Sequence, residues 1–249
     1  MIQLTLQALP IFSDSKPEQV ALIMRNSRII TCNNGKFLFR HGERVTHFYV
    51  ICRGAMQLFR DTPLGYESTS NILTAGESIN ADELAACQAD HGINARAVTD
   101  CSLLEIPILW MRENFNKLGN MASNLLTVLA DRLDDAQVEM EHHSTMSAAQ
   151  ILACYRQKLC VLYDYDPRGF VLPYTKQLIA SRLRIERETL SRALSALKDY
   201  GITVTGSRVS FTDMHKTKNF VCEKCSVSKQ CKAYRGLHQD MEKISVHGT

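Results

Sequence analysis

The stretch Thr175–Leu197, TKQLIASRLRIERETLSRALSAL, decides how this 249-residue chain is read. A first helix there would bury Leu178, Ile179 and Leu183, with the small Ala180 where two helices cross closely. Arg184-Ile185-Glu186 reads as a short turn whose Ile185 plugs the gap. A second helix starts near Arg187 and buries Leu190, Leu194 and Leu197. Its outer face then carries Arg187, Glu188, Ser191 and Arg192. Two short helices with a polar face at the start of the second form the geometry that enters a major groove. Ile202–Val204 and Val209–Phe211, separated by Thr205-Gly206-Ser207, follow as a hairpin wing.

Charge supports that placement. Residues 1–144 carry 12 Lys/Arg and 17 Asp/Glu, a net −5, whereas residues 145–249 carry 17 and 9, a net +8. The C-terminal part is the one suited to a polyanion. Lys176 and Arg182 are the cations expected to meet phosphates rather than bases.

Upstream, Asn33 to Ile106 alternates in short runs: Lys36–Phe39, His47–Cys52, Met56–Phe59, Ser70–Leu73, Ala95–Thr99 and Cys101–Ile106. Turn residues such as Asn33-Asn34-Gly35 and Arg53-Gly54 separate them, the pattern of a small barrel or sandwich. Pro17 to Arg25 reads as a short helix before it. From Ile108 to His143 the period becomes helical. One stripe holds Leu118, Met121, Leu125, Val128 and Arg132; a second holds Ala122, Leu126, Leu129, Leu133, Ala136 and Met140. Two apolar stripes on one helix need two partners, the β domain and the same helix of a second subunit. A further helix is expected over Ser147–Tyr163.

The order of these parts, with Arg187-Glu188-Thr189-Leu190-Ser191-Arg192 as recognition helix, resembles the CRP/FNR family of bacterial transcription regulators. The resemblance spans roughly residues 10–213 and implies an α+β fold. Its parts are a cyclic-nucleotide-binding-like β-roll (1–107), a long dimerisation helix (108–144) and a winged helix-turn-helix (145–213). A cysteine-containing tail (214–249) follows. By resemblance Glu188 accepts from a cytosine amino group and Arg192 donates to a guanine, while Arg187 and Ser191 tune outer positions. That agrees with base-edge chemistry. The implied partners are palindromic double-stranded DNA containing a GA element, a second copy of the chain, and RNA polymerase. Where the family often has glycine in the turn, this chain has Arg184, acceptable with a negative φ.

Family members that bind cyclic nucleotides neutralise the phosphate with an arginine after a Gly-Glu start. Gly76-Glu77 is present here, but His91-Gly92 stands where Arg-Ser is expected, and Arg96 is a poor substitute. A buried phosphate without that arginine is costly, so the β-roll is not expected to take one.

The chain has nine cysteines, and Cys222, Cys225 and Cys231 fall together after the wing. Three thiols at this spacing suit iron–sulfur or zinc. Lys224, Lys229, Lys232 and Arg235 nearby are expected to favour the thiolates. Zinc would take His238 as fourth ligand. Some family members instead hold an iron–sulfur cluster, usually 4Fe-4S, on C-terminal cysteines plus a carboxylate of the dimer helix. That resemblance implies one of Asp131, Asp134, Asp135, Glu139 and Glu141, with Asp135 preferred from its heptad position. The expectation is a regulator sensing oxygen, nitric oxide or redox state. A β-roll effector with a structural zinc tail is the alternative, and a thiol redox or electron-transfer protein is a third. No acid/base or nucleophile constellation suggests an enzyme. No apolar run approaches the ~20 residues that span a bilayer. Met1–Phe12 lacks a basic region and a cleavage site, so a cytoplasmic protein is expected.

Overall fold

A computed structural model describes residues 6–7, 9–86, 89–162, 170–172, 174–228 and 231. Cys87, His238, Lys229, Lys232 and Arg235 lie outside the described residues. The chain forms two compact units, Met1–Asp134 and Asp135–Thr249.

The first unit holds two four-stranded antiparallel sheets. One has the order β1 (Arg28–Cys32), β8 (Cys101–Pro107), β3 (His47–Arg53), β6 (Ser78–Ile79). The other runs β2 (Phe37–Phe39), β7 (Asn94–Ala97), β4 (Ala55–Asp61), β5 (Glu67–Thr74). Because side chains alternate along a strand, β3 and β8 feed two cores. Phe48, Val50, Leu104 and Ile106 face a cluster with Phe12, with Val20 and Ile23 of α1 (Pro17–Arg25), and with Ile108 and Met111 of α3 (Ile108–Glu113). Tyr49, Ile51 and Leu103 face the second sheet, among Phe39, Met56 and Leu73. Both faces are covered, which is why these strands read as nearly unbroken apolar runs.

Gly54 makes the β3–β4 turn at φ 94°, and a Cβ there would lie 2.6 Å from the Asp100 carbonyl oxygen. No other residue fits that approach. The expected β runs and the Pro17–Arg25 helix are all present. The unexpected elements are β1, the two-residue β6 and α2 (Ala81–Ala86).

The helical stretch after Ile108 is interrupted. α3 gives way to a single 3-10 turn, Phe115–Lys117, and Gly119 at φ 65° precedes α4 (Met121–Thr145). Leu118, Met121 and Leu125 are buried in the first unit, the first expected stripe. On the second stripe Leu126, Leu133 and Met140 are 68%, 60% and 71% exposed. They recur at heptad spacing along α4.

In the second unit α5 (Ala148–Leu162), α6 (Lys176–Arg182) and α7 (Arg187–Ala196) precede an antiparallel wing of order β10 (Ile202–Thr205), β11 (Arg208–Phe211), β9 (Phe170–Val171). The third wing strand was not legible, being two residues long. Gly201, at φ 80°, turns the chain into the wing where a Cβ would lie 2.5 Å from the Asp213 carbonyl oxygen. α8 (Met214–Cys222) then brings the tail back. Thr217 is fully buried and donates to the Tyr200 carbonyl at 2.7 Å, and Phe220 stacks on Tyr200 at 3.6 Å.

Candidate nucleic-acid interface and cysteine site

α6 begins at an N-cap, Thr175, whose hydroxyl accepts from the Leu178 amide at 3.2 Å. Such a cap satisfies one of the free donors of the first turn. The helix ends in a Schellman motif: Ile185 N–H donates to the Ala180 carbonyl at 3.0 Å and Arg184 N–H to Ser181 at 3.2 Å. That motif places one residue in the left-handed region, and Arg184 has φ 53°. The negative φ expected for Arg184 is therefore corrected. The turn imposes the glycine-like conformation on an arginine.

Ile179, Ala180, Leu183, Leu190, Ala193 and Leu197 are buried, whereas Leu178, Ile185 and Leu194 are half-buried. Burial along one side of α7 leaves Arg187, Glu188, Thr189, Ser191 and Arg192 exposed together. Arg192 Nη2 donates to Glu188 Oε1 at 2.5 Å, one turn apart and with both side chains 78% exposed. Lys176 and Gln177 at the start of α6 share a shallow groove with Arg187, Leu190, Ser191 and Leu194. Gln177 is a polar group of this face that the sequence reading passed over.

Arg182 is placed differently from the phosphate contact expected for it. Its guanidinium makes two hydrogen bonds to Glu139, at 2.6 and 3.0 Å, and the side chain is 12% exposed. Burial alone would raise the Glu139 carboxyl. The hydrogen bonds and charge of Arg182 outweigh it and hold the group below its ordinary range.

The tail cysteines sit against α4 and α5. Gln150 donates to the Phe220 carbonyl at 2.9 Å, fixing α8 on α5. Cys222 ends α8, and the Cys225 N–H donates to the Cys222 carbonyl at 3.3 Å. His142, buried on α4, has Nε2 3.4 Å from Cys225 Sγ. Glu141 accepts from the Ser226 amide at 3.0 Å and from its hydroxyl at 2.5 Å.

Burial pushes the Cys222 thiol up to about 11, with Cys225 and Cys231 adding to it and Lys218 opposing. Burial likewise raises Cys225. Of the cations expected to favour the thiolates, Lys229, Lys232 and Arg235 lie outside the described residues. A ligating thiol must first release its proton. Asp135, the preferred carboxylate ligand, lies 3.5 Å from Lys158 Nζ with its side chain 72% exposed. Among the described residues, no three Cys, His, Asp or Glu side chains stand close enough to hold a single metal ion in this conformation. The donors present are nonetheless soft sulfurs with one buried imidazole, chemistry that fits an iron–sulfur cluster or zinc.

In the β-roll, Arg96 on β7 pairs with Glu67 at 2.5 Å and donates to Gln57 at 2.7 Å. His91 is buried, its ring stacked 3.5 Å from that of Phe39, and burial lowers its pKa.

A β-roll followed by a winged helix-turn-helix with an exposed polar recognition helix defines a DNA-binding regulator. Residues 30–117 match the cyclic nucleotide-binding domain family, and residues 148–219 match the Crp-like helix-turn-helix domain. The cyclic AMP receptor protein of Thermus thermophilus is 28% identical over 201 residues, covering 79% of this chain and 89% of that protein. The fumarate and nitrate reduction regulatory protein of Escherichia coli K12 is 23% identical over 171 residues, 68% of each. FixK2 of Bradyrhizobium japonicum shares the fold, with TM-score 0.70, 17% identity, and coverage of 78% of this chain and 97% of that one. The chain belongs to the CRP/FNR family of transcription regulators. Among the described residues no helix is long and apolar enough to cross a membrane.

Proposed function

We propose that the protein acts in the cytoplasm as a homodimer on palindromic double-stranded DNA and senses oxygen, nitric oxide or redox state through an iron–sulfur cluster on Cys222, Cys225 and Cys231. The carrying observation is the seating of the tail cysteines in the DNA-binding unit, with Cys225 against buried His142 and Ser226 clasped by Glu141. When bound, such a cluster supplies an oxidant-sensitive bridge between thiolates.

The chain's own residues supply the readout. The tail is tied to the C-terminal turn of α4 and, through Gln150, to α5, which packs against the recognition helix α7. A change in the tail ligands thus reaches the base-reading face through packed helices, a local event biasing a two-state element. The exposed stripe Leu126, Leu133 and Met140 supports dimerisation through α4. RNA polymerase contact is part of the same proposal.

The β-roll is not read as a cyclic nucleotide site. Arg96 is already engaged, and His91 is buried in an aromatic stack. A second reading has zinc in the tail, and the buried His142 beside Cys225 favours it, because three thiolates and one imidazole are a zinc set.

Anaerobic isolation with iron, sulfide and zinc analysis separates the two readings. Iron and sulfide with visible absorption that bleaches in air is the expected result. One zinc per chain without iron would replace the cluster by the structural metal.

A further inference from the structure

Three thiolates leave a four-iron cluster one ligand short. The tail offers no fourth cysteine, and Asp135 is exposed and paired with Lys158. The missing donor is found by following α5. Gln150, Cys154 and Lys158 recur every four residues and so share one helix face. Gln150 on that face holds the Phe220 carbonyl of α8 at 2.9 Å, and Lys158 at its other end reaches Asp135 at 3.5 Å. Cys154 lies between them. It lines a small cavity with Glu139, His142 and Lys158, and His142 is the residue whose ring meets Cys225.

Burial pushes the Cys154 thiol up, with Lys158 opposing and Cys231, Cys225 and Cys222 adding to it. Lys158 lines the same cavity as Cys154. Through Gln150 on Phe220 and His142 on Cys225, the tail is held beside the helix face that carries Cys154, and the Lys158 cation stands on that same face.

We propose that Cys154 is the fourth ligand of the tail centre, in place of Asp135, giving a site of four cysteines. This rests on the reading of the tail as an iron–sulfur site. Cys154 sits on a helix and supplies the fixed point. Cys225 and Cys231 lie beyond the end of α8 and supply the adjustable ones. The placement has a regulatory consequence. Because α5 packs directly on α7, a ligand on α5 couples the centre to the recognition helix without passing through the dimer helix. His142 then acts as a positioning residue, hydrogen-bonding the Cys225 sulfur, and Lys158 offsets the charge of the assembled thiolates.

The test uses the full chain, reconstituted anaerobically with ferrous iron and sulfide, beside Cys154→Ser, Asp135→Asn and the distant Cys32→Ser. Iron and sulfide content, visible absorption and thermal melting are measured on each. Cys154→Ser is expected to lose the visible absorption and most of its iron, while Asp135→Asn and Cys32→Ser load like the parent. Alkylation footprinting of the loaded parent by mass spectrometry needs no variant: Cys154 should be protected until air is admitted, then label together with the tail cysteines. A parent that takes up no iron or sulfide overturns the centre itself, and Cys154 with it. A parent that loads, with Cys154 freely alkylated and Cys154→Ser equally loaded, overturns the Cys154 assignment alone. Loss of iron in Asp135→Asn with retention in Cys154→Ser restores the carboxylate.

Discussion

Arg182 holds Glu139 in a two-pronged grip, Nη2 to Oε1 at 2.6 Å and Nη1 to Oε2 at 3.0 Å, fastening the first helix of the DNA-binding motif to the long helix α4. The arginine is largely buried and the carboxylate partly so. Charged hydrogen bonds of this kind contribute about 1.5–3 kcal/mol, discounted here for the exposure of Glu139. Glu139→Gln is expected to destabilise the C-terminal unit by about 1–2 kcal/mol. Arg182→Ala should do at least as much, because it also removes buried stem. Denaturant titration of each variant measures this; unchanged midpoints would show that the pair contributes nothing.

The same pair sets a pH dependence with a definite sign. The folded-state pKa of Glu139 is lowered, so its stabilisation is present in full above the unfolded value of about 4.3. It is lost as pH falls through that value towards the lower folded one, because the unfolded state then binds the proton more readily. Melting temperatures taken on acidification should fall more steeply for the parent than for Glu139→Gln. Parallel curves would contradict the assignment.

Arg184 occupies the left-handed position of the Schellman turn at φ 53°. Relief of that conformation is worth roughly 1–2 kcal/mol, and the extra chain entropy of glycine takes back roughly 0.4–1 kcal/mol. Arg184→Gly should therefore stabilise the protein by about 0.5–1 kcal/mol net. A loss of stability on calorimetry would mean that the arginine side chain makes a compensating contact.

Arg192 and Glu188 pair with each other in the free protein, both well exposed. Exposed pairs are weak, so base edges in a major groove compete for them easily. Arg192→Ala should lose about 1–3 kcal/mol at one base pair and relax specificity there. Lys176→Ala should weaken all sequences alike and reduce the salt slope. Titrations on a GA-containing palindrome and its single-base variants, at two salt concentrations, distinguish the two. Equal weakening on every sequence by Arg192→Ala would remove it from base reading.

Leu133 lies in the middle of the exposed α4 stripe, between Leu126 and Met140. Placing a charge in an apolar helix seam is strongly unfavourable. Leu133→Glu is expected to sediment as a monomer and to lose half-site cooperativity on DNA, with the β-roll still folded. A dimeric variant would move the interface elsewhere.

The elements were legible because their signals are local. Alternation over four to eight residues marks a strand, and a 3–4 spacing marks a helix. Of the strands that escaped, β6 and β9 are two residues long and carry no period at all, and β1 is mostly exposed, with only Cys32 buried. The recognition helix was legible with its exposed face, since burial of Leu190 and Leu197 on one side fixes what lies on the other. Arg184 was misread because the sign of its φ is set by the closure of the preceding helix, not by its own preference.

The order of parts, the exposed face of α7 and the grouping of three tail cysteines follow from neighbours along the chain. Contacts between distant residues depend on how the helices pack. Arg182 meets Glu139 from 43 residues away and His142 meets Cys225 from 83 residues away. α8 folds back onto α5 through Gln150 and the Phe220 carbonyl, 70 residues apart. Spacing carries no information at such separations, because which side chains meet is set by helix packing, and packing is fixed only once all the buried faces are satisfied together.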